Sequence, residues 1–172
     1  MKTIILPGAS IKNKVWAQEI AEQMGLVDYK IIEWDHWKDN SDRPLDIDLE
    51  TSKVLSVISQ ENVQILAKSI GTYIAVKVLD RLPNQINKVI LCGIPLGYLN
   101  SSDMSEKSDY QVLSGFPQDR ILVYQNKNDT AGSFIKTEEF IKNINPKISV
   151  LSKPRSDHSY PYPEDFKNFL HS

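Results

Sequence analysis

The chain has 172 residues, enough for one domain with its own core, and its 41% hydrophobic and 24% charged content is that of a globular protein. Its 20 basic and 22 acidic residues nearly cancel, to a net charge of −2, which leaves no electrostatic footprint for nucleic acid. The single cysteine, Cys92, excludes an internal disulfide, and no stretch approaches the roughly 20 apolar residues that span a bilayer.

The elements alternate between strand and helix. Lys2–Leu6 is a short apolar run ending in Pro7-Gly8, which predicts a strand and a turn. That run is too short for a signal peptide, so a cytoplasmic location is expected. From Lys14 to Met24, apolar residues at Val15, Trp16, Ile20, Ala21 and Met24 follow a helical period that stops at Gly25. Tyr29–Trp34 reads as a second strand, followed by a polar stretch, Asp35–Pro44, that holds Trp37. A second helix spans Asp46–Ser59, the third strand Val63–Ala67, a third helix Ile70–Leu82 and the fourth strand Lys88–Cys92. Ile94–Asp119 has no single period and reads as an insertion with a short helix around Asp109–Leu113. Arg120–Tyr124 is the fifth strand, Ser133–Ile144 a helix, Lys147–Leu151 the sixth strand and Glu164–Leu170 the last helix. This alternation predicts an α/β fold with a parallel sheet, in one domain over 1–172. Ligands of such sheets bind beyond the carboxyl ends of the strands, so chemistry is sought in the loops that follow them.

The third strand runs into Ala67-Lys68-Ser69-Ile70-Gly71, and a helix begins at once. Small residues two places on either side of Ser69 suit a tight, strained strand-to-helix turn that lifts the hydroxyl above the sheet. Such a turn also aims the first N–H groups of the helix at the site. The bland reading is a serine that caps a helix.

This pattern resembles the nucleophile elbow of the α/β-hydrolase superfamily, G-x-S-x-G, with Ala67 in place of the first glycine. The resemblance covers Lys2 to Leu170 and implies a three-layer α/β/α sandwich. Its six-stranded sheet would be a minimal version of the fold, in the order 2-1-3-4-5-6. It implies Ser69 as nucleophile, an acid after the fifth strand and a histidine after the sixth. Asp129 and His158 stand at those places, giving the chain order Ser, Asp, His. Asp157 is a rival acid, ranked lower because neighbouring side chains of an extended chain diverge. His36 and His171 read as solvated.

The resemblance implies an oxyanion hole from the N–H of Ile70 and of a residue after the first strand. That loop reads Pro7-Gly8-Ala9-Ser10 where the family often has His-Gly, and Ala9 is the expected donor. Ser10, Lys68, Trp37, Leu96 and Tyr160 are expected to face substrate, with a small cap over about 94–119. The implied activity is hydrolysis of a small acyl ester or thioester through an acyl-enzyme, as a serine hydrolase. The implied partner is a small acyl substrate, with no nucleic acid, membrane span or cofactor. Three dispersed histidines and one cysteine show no metal-ligand spacing. Three alternatives stand beside it: a non-catalytic module of the same architecture that binds a small molecule or protein, a flavodoxin-like binding domain, and a phosphate loop at Pro7–Ser10. The last lacks the glycine and Walker patterns.

Overall fold

The computed structural model describes residues 1–38, 44–99 and 104–172, with only the backbone of 104–106. Residues 39–43 of the polar stretch and 100–103 of the 94–119 insertion lie outside the described residues. Six strands, β1 (Lys2–Leu6), β2 (Tyr29–Ile31), β3 (Val63–Lys68), β4 (Ile86–Cys92), β5 (Ile121–Asn126) and β6 (Ser149–Lys153), form one sheet. Its order is β2-β1-β3-β4-β5-β6, and all five pairings are parallel.

Helices α1 (Lys12–Gln23) and α6 (Pro163–His171) cover one face; α2 (Ile47–Ile58), α3 (Ile70–Arg81) and α5 (Phe134–Ile144) cover the other. The two faces are read from alternate strand positions. Ile5, Leu66, Ile90, Leu122 and Tyr124 pack with Ala17, Ile20, Phe166 and Leu170 of the first pair. Ile4, Leu6, Ile65, Leu91 and Val123 pack with Val54, Ile58, Ile74, Val78 and Ile141 of the second group. With both faces covered, all six residues of β3 are buried, which explains why the central strands carry continuous rather than alternating apolar runs.

Local chemistry ends the elements. The Asp46 carboxylate accepts the Leu49 N–H at 3.0 Å and caps α2, a contact worth about 1 kcal/mol. Lys88 Nζ donates to Phe169 O at 2.8 Å and to Ser172 O, closing the C-terminus of α6.

The second strand is shorter than its sequence suggests. Only Tyr29–Ile31 pair with β1; the chain then leaves the sheet, and a single 3-10 turn follows at Asp35–Trp37. The reason is tertiary: Trp34 is fully buried and its indole N–H donates to Gly8 O at 3.1 Å. The short helix expected around Asp109–Leu113 begins earlier, as α4 (Met104–Asp109), and continues as a 3-10 turn, Tyr110–Ser114. The sixth strand is displaced by two residues from its expected span because it pairs with β5 from Ser149 onward. Among the described residues no helix is long and apolar enough to cross a membrane, and no group of three metal-ligating side chains occurs.

Candidate active site

The sheet order reverses at β1, which lies between β2 and β3, so the loops after β1 and β3 leave side by side. Leu6 is paired with Ala67, and the start of α3 presses against the end of β1. A Cβ at Gly71 would stand 2.2 Å from Leu6 O and 2.9 Å from Pro7 O, both backbone atoms, so the approach requires glycine. Lys68 is paired with Cys92, and the Ser69 N–H donates to Cys92 O at 3.0 Å, anchoring the turn to β4.

Ser69 has φ 55° and ψ −126°, a conformation that costs an L-residue free energy. Ser59, at the end of α2, has a similar backbone, so the strain alone does not mark a site. Ser69 immediately precedes α3 at the carboxyl end of the central strand, the end where ligands of parallel sheets bind. Its side chain does not cap α3, which leaves the N-capping role expected of a merely structural serine unfilled. The Ile70 N–H is at the first helical position, where a helix has no internal acceptor to offer.

Asp129 and His158 come together from the loops after β5 and β6. His158 Nδ1 lies 2.8 Å from Asp129 Oδ2 and 2.9 Å from Oδ1. The Asp129 side chain is fully buried, and the His158 ring is 26% exposed. Because an ionised carboxylate accepts only, Nδ1 carries a proton, and the neutral form of the ring then has its lone pair on Nε2. Nε2 is buried and, among the described residues, without a partner. The ring sits over the residue after β4: a Cβ at Gly93 would lie 2.9 Å from His158 Cε1. Gly93 follows Cys92, the residue that anchors Ser69, so His158 and Ser69 share the carboxyl end of β4.

Asp129 is held on two further sides. The Ala131 N–H donates to Oδ1 at 2.8 Å and the Tyr160 hydroxyl to Oδ2 at 2.5 Å. The phenol also accepts the Asn126 N–H at 3.1 Å. Burial pushes the Tyr160 hydroxyl well above the usual phenol range, so it stays protonated and donates to the carboxylate. Asn126 Nδ2 donates to Asp157 O and Ser159 O, both at 2.8 Å, which joins the two loops. Asp157, the rival acid, is exposed and turned to Arg155 and the Ser159 N–H; the Arg155 guanidinium holds its carboxyl below the usual range.

Several residues expected to face substrate are placed otherwise. Tyr160 is fully buried as the third partner of Asp129. Trp37 is 8% exposed because its indole N–H donates to Ala9 O at 2.7 Å. Lys68 is buried and turned toward α1, where Nζ donates to Asn13 Oδ1 and lies 5.3 Å from the Trp16 ring centroid. Desolvation lowers its pKa. His36 is not simply solvated: Nε2 lies 2.8 Å from Ala9 O, and Nδ1 is buried. Ala9 and Ser10 are exposed at the loop after β1. Leu96 lines a cavity of about 500 Å³ between the loops at 96–97 and 129–133 and α5, with Lys107 and Lys136 on its wall. The signal for the inward turn of Trp37 was an aromatic residue in an otherwise polar stretch, Asp35–Pro44.

No protein-family model matches this sequence, and no curated protein matches it. Solved structures do. An α/β serine hydrolase without a lid from Xanthomonas campestris matches at a TM-score of 0.70 and 14% identity, over 99% of this chain and 79% of that one. A YdeN-like hydrolase from Pectobacterium atrosepticum matches at 0.72 and 14% identity, over 99% and 90%. An α/β serine hydrolase homologue from Coxiella burnetii matches at 0.68 and 17% identity, over 99% and 83%. With its six parallel strands in the order β2-β1-β3-β4-β5-β6 and helices on both faces, this chain has the fold of the α/β-hydrolase superfamily.

Proposed function

We propose that this chain is a serine hydrolase that cleaves a small acyl ester or thioester through an acyl-enzyme. One observation carries the reading: His158 Nδ1 is bound to the buried Asp129 carboxylate while Nε2, among the described residues, is left unpartnered, with the ring over the strand end that anchors Ser69. The serine hydrolases that share this fold support it.

In this mechanism His158 Nε2 takes the Ser69 proton as the hydroxyl oxygen attacks the acyl carbonyl carbon. Asp129 stabilises the imidazolium that results. The carbonyl oxygen gains negative charge and is met by the N–H groups of Ile70 and Ala9. Collapse of the tetrahedral intermediate breaks the acyl bond, and the departing alcohol or thiol takes the proton from His158. Water then attacks the acyl-Ser69 ester, giving its proton to His158; that proton returns to Ser69 as the carboxylic acid leaves.

The test is labelling with a fluorophosphonate, whose phosphorus takes the same attack and loses fluoride. Wild type is expected to label, with Ser69→Ala and His158→Ala unlabelled though folded by circular dichroism. A folded wild type that resists the probe refutes hydrolysis and leaves the non-catalytic binding module of the same fold.

A further inference from the structure

The loop after β1 has three successive carbonyl oxygens, each held by a side chain. Gly8 O accepts from Trp34 Nε1 at 3.1 Å. Ala9 O accepts from Trp37 Nε1 at 2.7 Å and lies 2.8 Å from His36 Nε2. Ser10 O accepts from Asn13 Nδ2 at 3.0 Å. Asn13 Oδ1 accepts from Lys68, the residue before Ser69.

These bonds have one possible sense. Indole and ammonium groups donate and never accept. A flipped Gly8 or Ala9 peptide would set N–H against N–H. Lys68 can meet only the Asn13 carbonyl, so the Asn13 amide is left to face Ser10 O. The carbonyl of a trans peptide points opposite to the N–H that follows it. Trp34, His36 and Trp37 come from the chain just after β2, on the far side of β1 from β3 and Ser69. Carbonyls drawn toward β2 therefore turn the N–H groups of Ala9 and Ser10 toward the β3 side.

Resting on the function proposed above, we propose that Trp34, through Gly8 O, and His36 and Trp37, through Ala9 O, are positioning residues of the oxyanion hole: they fix in turn the N–H groups of Ala9 and Ser10, so that the Ser10 N–H joins that of Ala9 as a donor from this loop. His36 and Trp37 act on the same acceptor, and a carbonyl oxygen has two lone pairs, so each covers the loss of the other.

The experiment compares wild type, His36→Ala, Trp37→Phe and the double variant by fluorophosphonate labelling rate and by kcat and KM on p-nitrophenyl acetate. Each single variant is expected to lose less than about 3-fold in kcat. The double variant should lose about 100-fold, the scale of one missing oxyanion donor, with KM changed by less than about 2-fold. A folded double variant with wild-type kcat overturns the proposal and leaves the hydrolase reading intact. So does a loss that falls on KM instead, or single losses that simply multiply. A wild type that neither labels nor turns over overturns both. Should the double variant not fold, Trp34→Phe tests the adjoining peptide, which carries the Ala9 N–H; a kcat loss of about 100-fold at constant KM is expected, and an unchanged kcat overturns the proposal.

Discussion

Gly93→Ala should damage both the stability and the reactivity of this protein. Gly93 has φ +66°, where an alanine costs about 1–2 kcal/mol. The new methyl would also stand 2.6 Å from Tyr160 Cε2 and 2.9 Å from His158 Cε1. Carbon atoms rest at about 3.5–4.0 Å, so the Tyr160 ring has to recede by roughly 1 Å. Its hydroxyl is 2.5 Å from Asp129 Oδ2, and a retreat of that size takes it out of hydrogen-bond range. A hydrogen bond to a charged group contributes about 1.5–3 kcal/mol. The combined loss is roughly 2.5–5 kcal/mol, a Tm lower by roughly 5–20 °C in a domain of this size. Differential scanning calorimetry measures it. Fluorophosphonate labelling at 25 °C should slow by about 10-fold in the protein that remains folded, because His158 is displaced as well. Gly115→Ala is the control: its φ is −97°, no heavy atom lies within 4 Å of a new Cβ, and a change within about 1 kcal/mol is expected. A Gly93→Ala protein that melts within 2 °C of wild type, roughly the Tm equivalent of 1 kcal/mol or less, and labels at the wild-type rate would refute the reasoning.

Two further predictions concern single groups. Tyr160→Phe keeps the ring but removes the donor to Asp129 and the acceptor of the Asn126 N–H, and should cost roughly 2–4 kcal/mol in urea unfolding; an unchanged urea midpoint would show that the phenol does not hold the acid. Hydrogen bonds from Lys38 and then Lys53 draw the Asp35 carboxyl down to about 2. A carboxyl depressed in the folded state stabilises above its unfolded pKa of about 3.9, and that contribution is lost as pH falls through the folded value. An NMR titration of the Asp35 carboxyl should therefore find a midpoint near 2 that rises in Lys53→Met, and a wild-type midpoint near 3.9 would disprove the pairing.

The alternation of apolar runs with helical periods determined the parallel sheet, because a strand covered on both faces is apolar along its middle. Residues 65–67 of β3 and 89–92 of β4 show this most plainly. Chain order likewise made Ser69, Asp129 and His158 legible as residues after β3, β5 and β6, since a parallel sheet gathers those loops at one end. The partners of these residues were not legible. Trp37 and Tyr160 sit in connections between a strand and a helix, where an aromatic residue reads alike whether it faces solvent or core. Their direction follows from which hydrogen-bond acceptor the fold brings within reach: Ala9 O for Trp37 and the Asp129 carboxylate for Tyr160. Lys68 was misread for the same reason, because a charged residue inside a strand is buried only where another element supplies an acceptor, here Asn13 of α1. Composition and period thus determine which residues must leave water. Which polar atoms meet there depends on contacts between residues as far apart in the chain as Trp37 and Ala9, and only the packed sheet and its loops decide them.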